Sequence, residues 1–178
     1  MSSPILIFPG IGNSGPEHWQ TRWENSGPGF VRVAQRDWEQ PVCAEWVAAF
    51  EQAVGRAGPR AVVVAHSLAC LAVAHWAATP QASPLAAALL VAVPDPAGDA
   101  FPAAATGFAA VPRWPLPFPS IVVASDDDPY GSPQHAAAMA RAWGSRLVNV
   151  GACGHINAAS GLGDWPAGRA LLQSLRGN

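Results

Sequence analysis

The stretch Ala61-Val62-Val63-Val64-Ala65-His66-Ser67-Leu68-Ala69-Cys70-Leu71-Ala72-Val73-Ala74 limits the possible folds more than any other part of the chain. Its first residues are small or β-branched and apolar, which reads as a strand buried on both faces. The Ala-rich run from Leu68 to Ala78 reads as a helix with almost no polar face. No Gly, Pro or Asn loop separates the two, so the chain must reverse within about two residues and hold Ser67 at the tip of a sharp, strained turn. Such a turn lifts the hydroxyl clear of the backbone and sets it over a helix N-terminus, where free N–H groups favour developing negative charge. The usual frame for this elbow is Gly-x-Ser-x-Gly. Here it is Ala65-His66-Ser67-Leu68-Ala69, with the next smallest residue at both crowded positions. The plainer reading is that Ser67 only caps a core helix.

The rest of the chain alternates strand and helix. Ile5 to Phe8 reads as a short buried strand, followed by the loop Gly10-Ile11-Gly12-Asn13-Ser14-Gly15 and a helix from Pro16 to Trp23 with Pro at its first position. Phe30 to Ala34 reads as an edge strand and Val42 to Val54 as an amphipathic helix. Ala86 to Val93 is another buried strand, after which a proline-rich loop runs to Pro119. Loops of that length usually cover a site. Ile121 to Ala124 and Arg146 to Val150 read as strands, with helices at Gln134 to Trp143 and Ala167 to Leu175. This pattern predicts an α/β fold: one domain over residues 1–178, with a mostly parallel sheet of about six strands and helices on both faces.

Half of the 178 residues are apolar, enough for one sizeable core. A charged fraction of 12% and a net charge of -2 leave no footprint for nucleic acid or an anionic membrane. The start, Met1-Ser2-Ser3-Pro4, lacks a basic segment, and the apolar run after it is too short for a signal or a membrane span, which predicts a cytoplasmic protein. The three cysteines, Cys43, Cys70 and Cys153, are scattered and read as reduced packing residues.

The Gly10 to Gly15 loop also matches Gly-x-Gly-x-x-Gly, with Asp37 at a plausible distance for a ribose-binding acid. A dinucleotide fingerprint normally has its helix begin inside the motif, whereas here Pro16 opens the helix after the last Gly. The same loop can instead present a backbone N–H to an oxyanion beside Ser67.

Ligand sites of parallel sheets lie beyond the carboxyl ends of the strands. That rule gathers the Gly10 to Gly15 loop, Ser67, the cluster Asp126-Asp127-Asp128 and His155 on one rim. Ser67 needs a base within reach, which His155 supplies, and an Asp to orient the imidazole; the chain order Ser, Asp, His is that of α/β-hydrolase sites. The acidic cluster alone could instead bind a metal or cap a helix. His66 reads as a packing or hydrogen-bonding residue on the far side of the elbow, His75 as part of the buried helix, and His18 and His135 as structural residues on surface-facing helices.

These residues carry a family resemblance. The chain is similar to the small bacterial YdeN-like serine hydrolases related to retinoblastoma-binding protein 9, which have a compact α/β-hydrolase fold. The resemblance rests on Pro9-Gly10, Gly15-Pro16-Glu17-His18-Trp19-Gln20, His66-Ser67, Asp127-Asp128-Pro129-Tyr130, Gly154-His155-Ile156-Asn157 and Gly161-Leu162-Gly163-Asp164-Trp165-Pro166. It implies a triad of Ser67, Asp128 and His155, and no cofactor. Pro129 also favours Asp128 over Asp127, because it restricts the residue before it to an extended conformation. The expected activity is hydrolysis of a small-molecule ester or related acyl bond through acyl-Ser67. The oxyanion would be held by the Leu68 N–H and one N–H from the loop, that of Ile11 or Gly12. The alternative is a catalytically inactive module that binds through its Trp-rich surface, against which stands the presence of all three groups.

Overall fold

Each apolar run can hide both of its faces, and this is what makes it a strand. The structure, a computed structural model, describes residues 4–80 and 82–177; Met1 to Ser3, read above for a signal, lie outside them. Six parallel strands form one sheet: β1 (Ile5–Phe8), β2 (Phe30–Arg32), β3 (Val62–His66), β4 (Ala87–Val91), β5 (Ser120–Ala124) and β6 (Arg146–Asn149), in spatial order β2-β1-β3-β4-β5-β6. Along β1, Leu6 and Phe8 join the core on one face and Ile5 and Ile7 that on the other; Val63 and Ala65 alternate in the same way with Val62 and Val64 along β3. The two edge strands, β2 and β6, are short and partly exposed.

Helices α2 (Cys43–Ala57), α3 (Leu68–Ala77) and α4 (Pro133–Trp143) cover one face, and α1 (Trp19–Glu24) and α5 (Pro166–Arg176) the other. Parallel neighbours require a crossover, and burial of both faces requires helices on each side, so the architecture follows from the apolar pattern. Helix α3 runs through the middle of its layer and buries residues around its whole circumference. Next to it, Glu51 accepts hydrogen bonds from the Trp76 indole and from Ser83, tying α2 to the loop after α3.

Helix α1 does not begin at Pro16. Gly15 O accepts from His18 N at 3.0 Å, which leaves Pro16 and Glu17 in the middle of a turn. The helix starts at Trp19 with the His18 imidazole as its cap, Nδ1 accepting from Gln20 N at 3.1 Å. This shift sends the buried rings of Trp19 and Trp23 against Trp165, with centroids 4.8 and 6.0 Å away. The Trp19 indole donates to Ile156 O at 2.8 Å and the Trp23 indole to Asp164 O at 2.7 Å. Two tryptophans near the start of the chain thereby fasten the loop that leaves β6, and a single 3₁₀ turn, Ala158–Ser160, lies within that loop.

Gly168, in the first turns of α5, lies directly against this cluster. A methyl group added there would come within 2.2 Å of the Trp165 ring. In an open helix, Gly→Ala stabilises by about 0.5–1 kcal/mol. Here the clash reverses the sign, and Gly168→Ala should cost about 1–3 kcal/mol, the usual range for overpacking. The check is a lower midpoint of urea denaturation with an unchanged slope.

Candidate active site

At the tip of the β3–α3 turn, Ser67 has φ 55° and ψ −126°, a backbone conformation that L residues rarely adopt. Its N–H donates to Val91 O and its carbonyl accepts from Cys70 N, both at 2.9 Å, so the turn is bonded to β4 and to its own helix. The exit of β1 passes against it at Gly10, where an added Cβ would lie 2.9 Å from Ser67 Cβ. Only glycine allows that approach. Ala65 and Ala69, flanking the elbow, are fully buried.

The structure brings Ser67, His155 and Asp128 into one hydrogen-bonded row. His155 Nε2 is 2.8 Å from Ser67 Oγ, and its Nδ1 is 2.8 and 3.0 Å from the two oxygens of Asp128. A carboxylate can only accept, so Nδ1 carries the proton, and Nε2 is left to accept from the serine hydroxyl. The Asp128 side chain is 2% exposed, and Tyr130 N donates to it at 2.9 Å.

The three adjacent acids divide the work. Asp127 accepts from Gly154 N at 2.7 Å and from the Ser125 hydroxyl at 2.9 Å, and that hydroxyl accepts in turn from Cys153 N at 2.9 Å. The Gly154 N–H first, and then Ser125, hold the Asp127 carboxyl below the usual carboxylate range. Asp126 accepts from the Asn149 side chain at 2.7 Å. Asp127 thus binds the loop after β5 to the loop after β6, Asp126 binds it to the end of β6, and Asp128 alone faces the imidazole.

Ser67, His155, Leu68 and Ile11 all line a cavity of about 410 Å³. Gly12 does not. Its N–H donates to Trp38 O at 2.9 Å and so is already committed, which corrects the expectation that it serves an oxyanion. The proline-rich connection between β4 and β5 supplies Pro94, Phe101 and Pro102 to the wall. Asp37, the acid a dinucleotide would need, caps a turn instead by accepting from Glu39 N and Gln40 N.

Two histidines in the wall, His18 and His66, stand closer to the site than the sequence suggests. The His66 Nε2–H donates to His155 O at 2.9 Å, and its ring lies 4.9 Å from that of His155. His18 is 4% exposed, not surface-facing, and its ring lies 4.8 Å from that of His66. The His135 side chain is also largely covered, beside Asp95. Burial is the main reason that His18 is lowered to about 4 and His66 well below the ordinary histidine value, with neighbouring cationic charge adding to it. The adjacency of His18 to the buried Trp19 is the one sequence signal that could have revealed this.

Residues 5–174 match the serine hydrolase family. Among solved structures, a YdeN-like hydrolase from Pectobacterium atrosepticum is 31% identical with a TM-score of 0.86, covering 98% of this chain and 91% of its own. The YdeN gene product of Bacillus subtilis is 18% identical with a TM-score of 0.81, covering 98% of both chains. A thermophilic esterase from Thermogutta terrifontis shares the fold at 16% identity and a TM-score of 0.69, covering 99% of this chain and 90% of its own. No curated protein sequence matches the chain.

The neutral histidines tie stability to pH. An unfolded histidine takes up its proton near pH ~6.5, whereas folded His18 does so only near 4. Between these values the unfolded state binds more protons, so stability falls as pH falls. His66, His75 and His135 are shifted in the same direction. Urea denaturation should show this loss on acidification from about pH 6.5 to about pH 4, with up to about 1.4 kcal/mol per pH unit from the buried His18 and a smaller part from the partly buried His75 and His135. A flat profile would mean that these side chains take up their protons at the same pH in the folded chain as in the unfolded one.

Proposed function

We propose that this chain, which belongs to the serine hydrolase family, cleaves a carboxylic ester or related acyl bond of a small molecule through an acyl-Ser67 intermediate. The observation that carries the reading is the row Ser67–His155–Asp128, bonded at 2.8 Å at each step and opening onto the cavity. His155 Nε2 takes the hydroxyl proton as Ser67 Oγ attacks the carbonyl carbon. Asp128 holds the ring in the required tautomer and stabilises the imidazolium that forms. The carbonyl oxygen becomes an oxyanion beside the Leu68 N–H, at the start of α3, and the Ile11 N–H. Each such donor is worth about 3 kcal/mol in the transition state. Collapse of the intermediate breaks the bond to the leaving oxygen, which receives the proton from His155. A water, deprotonated by the same nitrogen, then attacks the acyl carbon and releases the acid and free Ser67.

The lining supports an uncharged substrate. Among the described residues that form the cavity wall there is no Lys, Arg, Asp or Glu, and Leu68, Phe101, Pro94, Pro102 and Tyr130 supply much of its surface. The esterase likeness noted above concerns the fold and agrees with this class of reaction. No described helix is long and apolar enough to cross a membrane.

Fluorophosphonate should label the chain, and Ser67→Ala should abolish both labelling and turnover of short p-nitrophenyl esters while leaving the fold intact. A chain that neither labels nor turns over any ester would contradict the reading.

The division of labour among the acids predicts a graded series. Asp128→Asn should lower kcat by up to roughly 10⁴-fold, the scale found when the orienting acid of a triad is neutralised. Asp127→Ala should lower it by up to about 10²-fold, because releasing Gly154 shifts the base by a fraction of its hydrogen-bond length. Asp126→Asn should have the smallest effect. If Asp127→Ala proves severe and Asp128→Asn mild, Asp128 is not the acid.

A further inference from the structure

The cavity has two unlike walls, set by the order of the strands. Ser67 follows β3, which has β1 on one side and β4 on the other. The β4 side contributes Pro94, Phe101 and Pro102, joined by Tyr130 after β5, and is apolar. The β1 side contributes Ile11 and Gly15 together with the polar Asn13 and His18. On that side His18 Nε2 is buried and no protein group partners it. Nδ1 accepts from Gln20 N, so the neutral ring carries its proton on Nε2, which is therefore a donor. A buried donor without a protein partner costs free energy comparable to a lost hydrogen bond, and of the four such nitrogens among the described residues (with Arg22 Nε, Gln35 Nε2 and His135 Nε2) only that of His18 belongs to a residue of the cavity wall, where a ligand oxygen can take it.

Resting on the acyl-transfer reading above, we propose that the substrate carries, besides the scissile ester, a second uncharged oxygen acceptor (an ether, hydroxyl or carbonyl oxygen) that takes the hydrogen bond from His18 Nε2, while its hydrocarbon part lies against the Phe101 side. The acceptor is uncharged because no cationic side chain lines the cavity to neutralise an anion, and because burial keeps His18 itself neutral. His18 is thus a specificity-determining residue on the flank of the nucleophile opposite the apolar wall.

The test uses the full chain and matched ester pairs that differ only by exchange of one CH₂ for oxygen. On the acyl side these are p-nitrophenyl pentanoate and 3-methoxypropanoate; on the alcohol side, butyl and 2-methoxyethyl acetate. Each kcat/KM is divided by the hydroxide-catalysed rate of the same ester to remove intrinsic reactivity. In at least one pair the oxygen-bearing ester should be preferred about tenfold, the scale of one hydrogen bond to an otherwise unpaired donor. His18→Asn keeps an acceptor for Gln20 N but has nothing at the Nε2 position, and should bring that ratio to about one. Fluorophosphonate labelling with a ratio of one for both wild-type pairs overturns the role of His18 and leaves that of Ser67 standing. A preference that survives His18→Asn also overturns it. Absence of both labelling and turnover overturns the acyl-transfer reading and this inference together.

Discussion

A serine at φ 55° is held away from the backbone minima of an L residue at a cost of order 1–3 kcal/mol, and its surroundings must keep it there. Three contacts do so. The Ser67 N–H is bonded to Val91 O, the first turn of α3 closes on the Ser67 carbonyl, and the β1 exit presses against the elbow at Gly10 with no room for a side chain. Strand β3 and helix α3 are buried over nearly their whole length, so the turn between them cannot relax without opening the core. Core packing therefore offsets the strain, and the strain points the hydroxyl out over the rim.

The base is positioned in a different way. His155 sits in an irregular loop that owes its shape to partners from three elements: Asp127 on Gly154 N, His66 on His155 O and the Trp19 indole on Ile156 O. Two of these anchors are neutral, buried groups, and the third, Asp127, spends its charge on the Gly154 N–H and the Ser125 hydroxyl. Of the adjacent carboxylates only Asp128 bonds the imidazole, and its side chain is 2% exposed, so its charge acts on His155 in a water-poor setting.

How much of this can be read in the sequence depends on whether the determining contacts are local. Strands β1, β3, β4 and β5 bury both faces, and an unbroken apolar run records that directly, so the six-stranded parallel sheet is legible to within a residue or two at each end. The sheet in turn puts Ser67, the acidic cluster and His155 on one rim, and the motifs around them point to the YdeN-like family that the 31% identical Pectobacterium structure represents. What is not legible depends on bonds between distant segments. Gly12 N is taken by Trp38 O, and no pattern near Gly12 announces it. Helix α1 begins three residues late because the Gly15 carbonyl closes a turn on His18, which carries a histidine expected at the surface into the cavity wall. Pro129 already singles out Asp128 in the sequence, but the bond of Asp127 to Gly154 N does not show there, because it joins segments distant in the chain.

The central claim is that turnover passes through a covalent ester on Ser67. Acid-quenching the chain within its first turnovers of p-nitrophenyl butanoate, followed by intact-protein and peptide mass measurement, tests it directly. The account predicts a mass increase of one butanoyl group, carried by the peptide that contains Ser67. Steady release of nitrophenol with an unmodified chain, or with the acyl group on another residue, would contradict it.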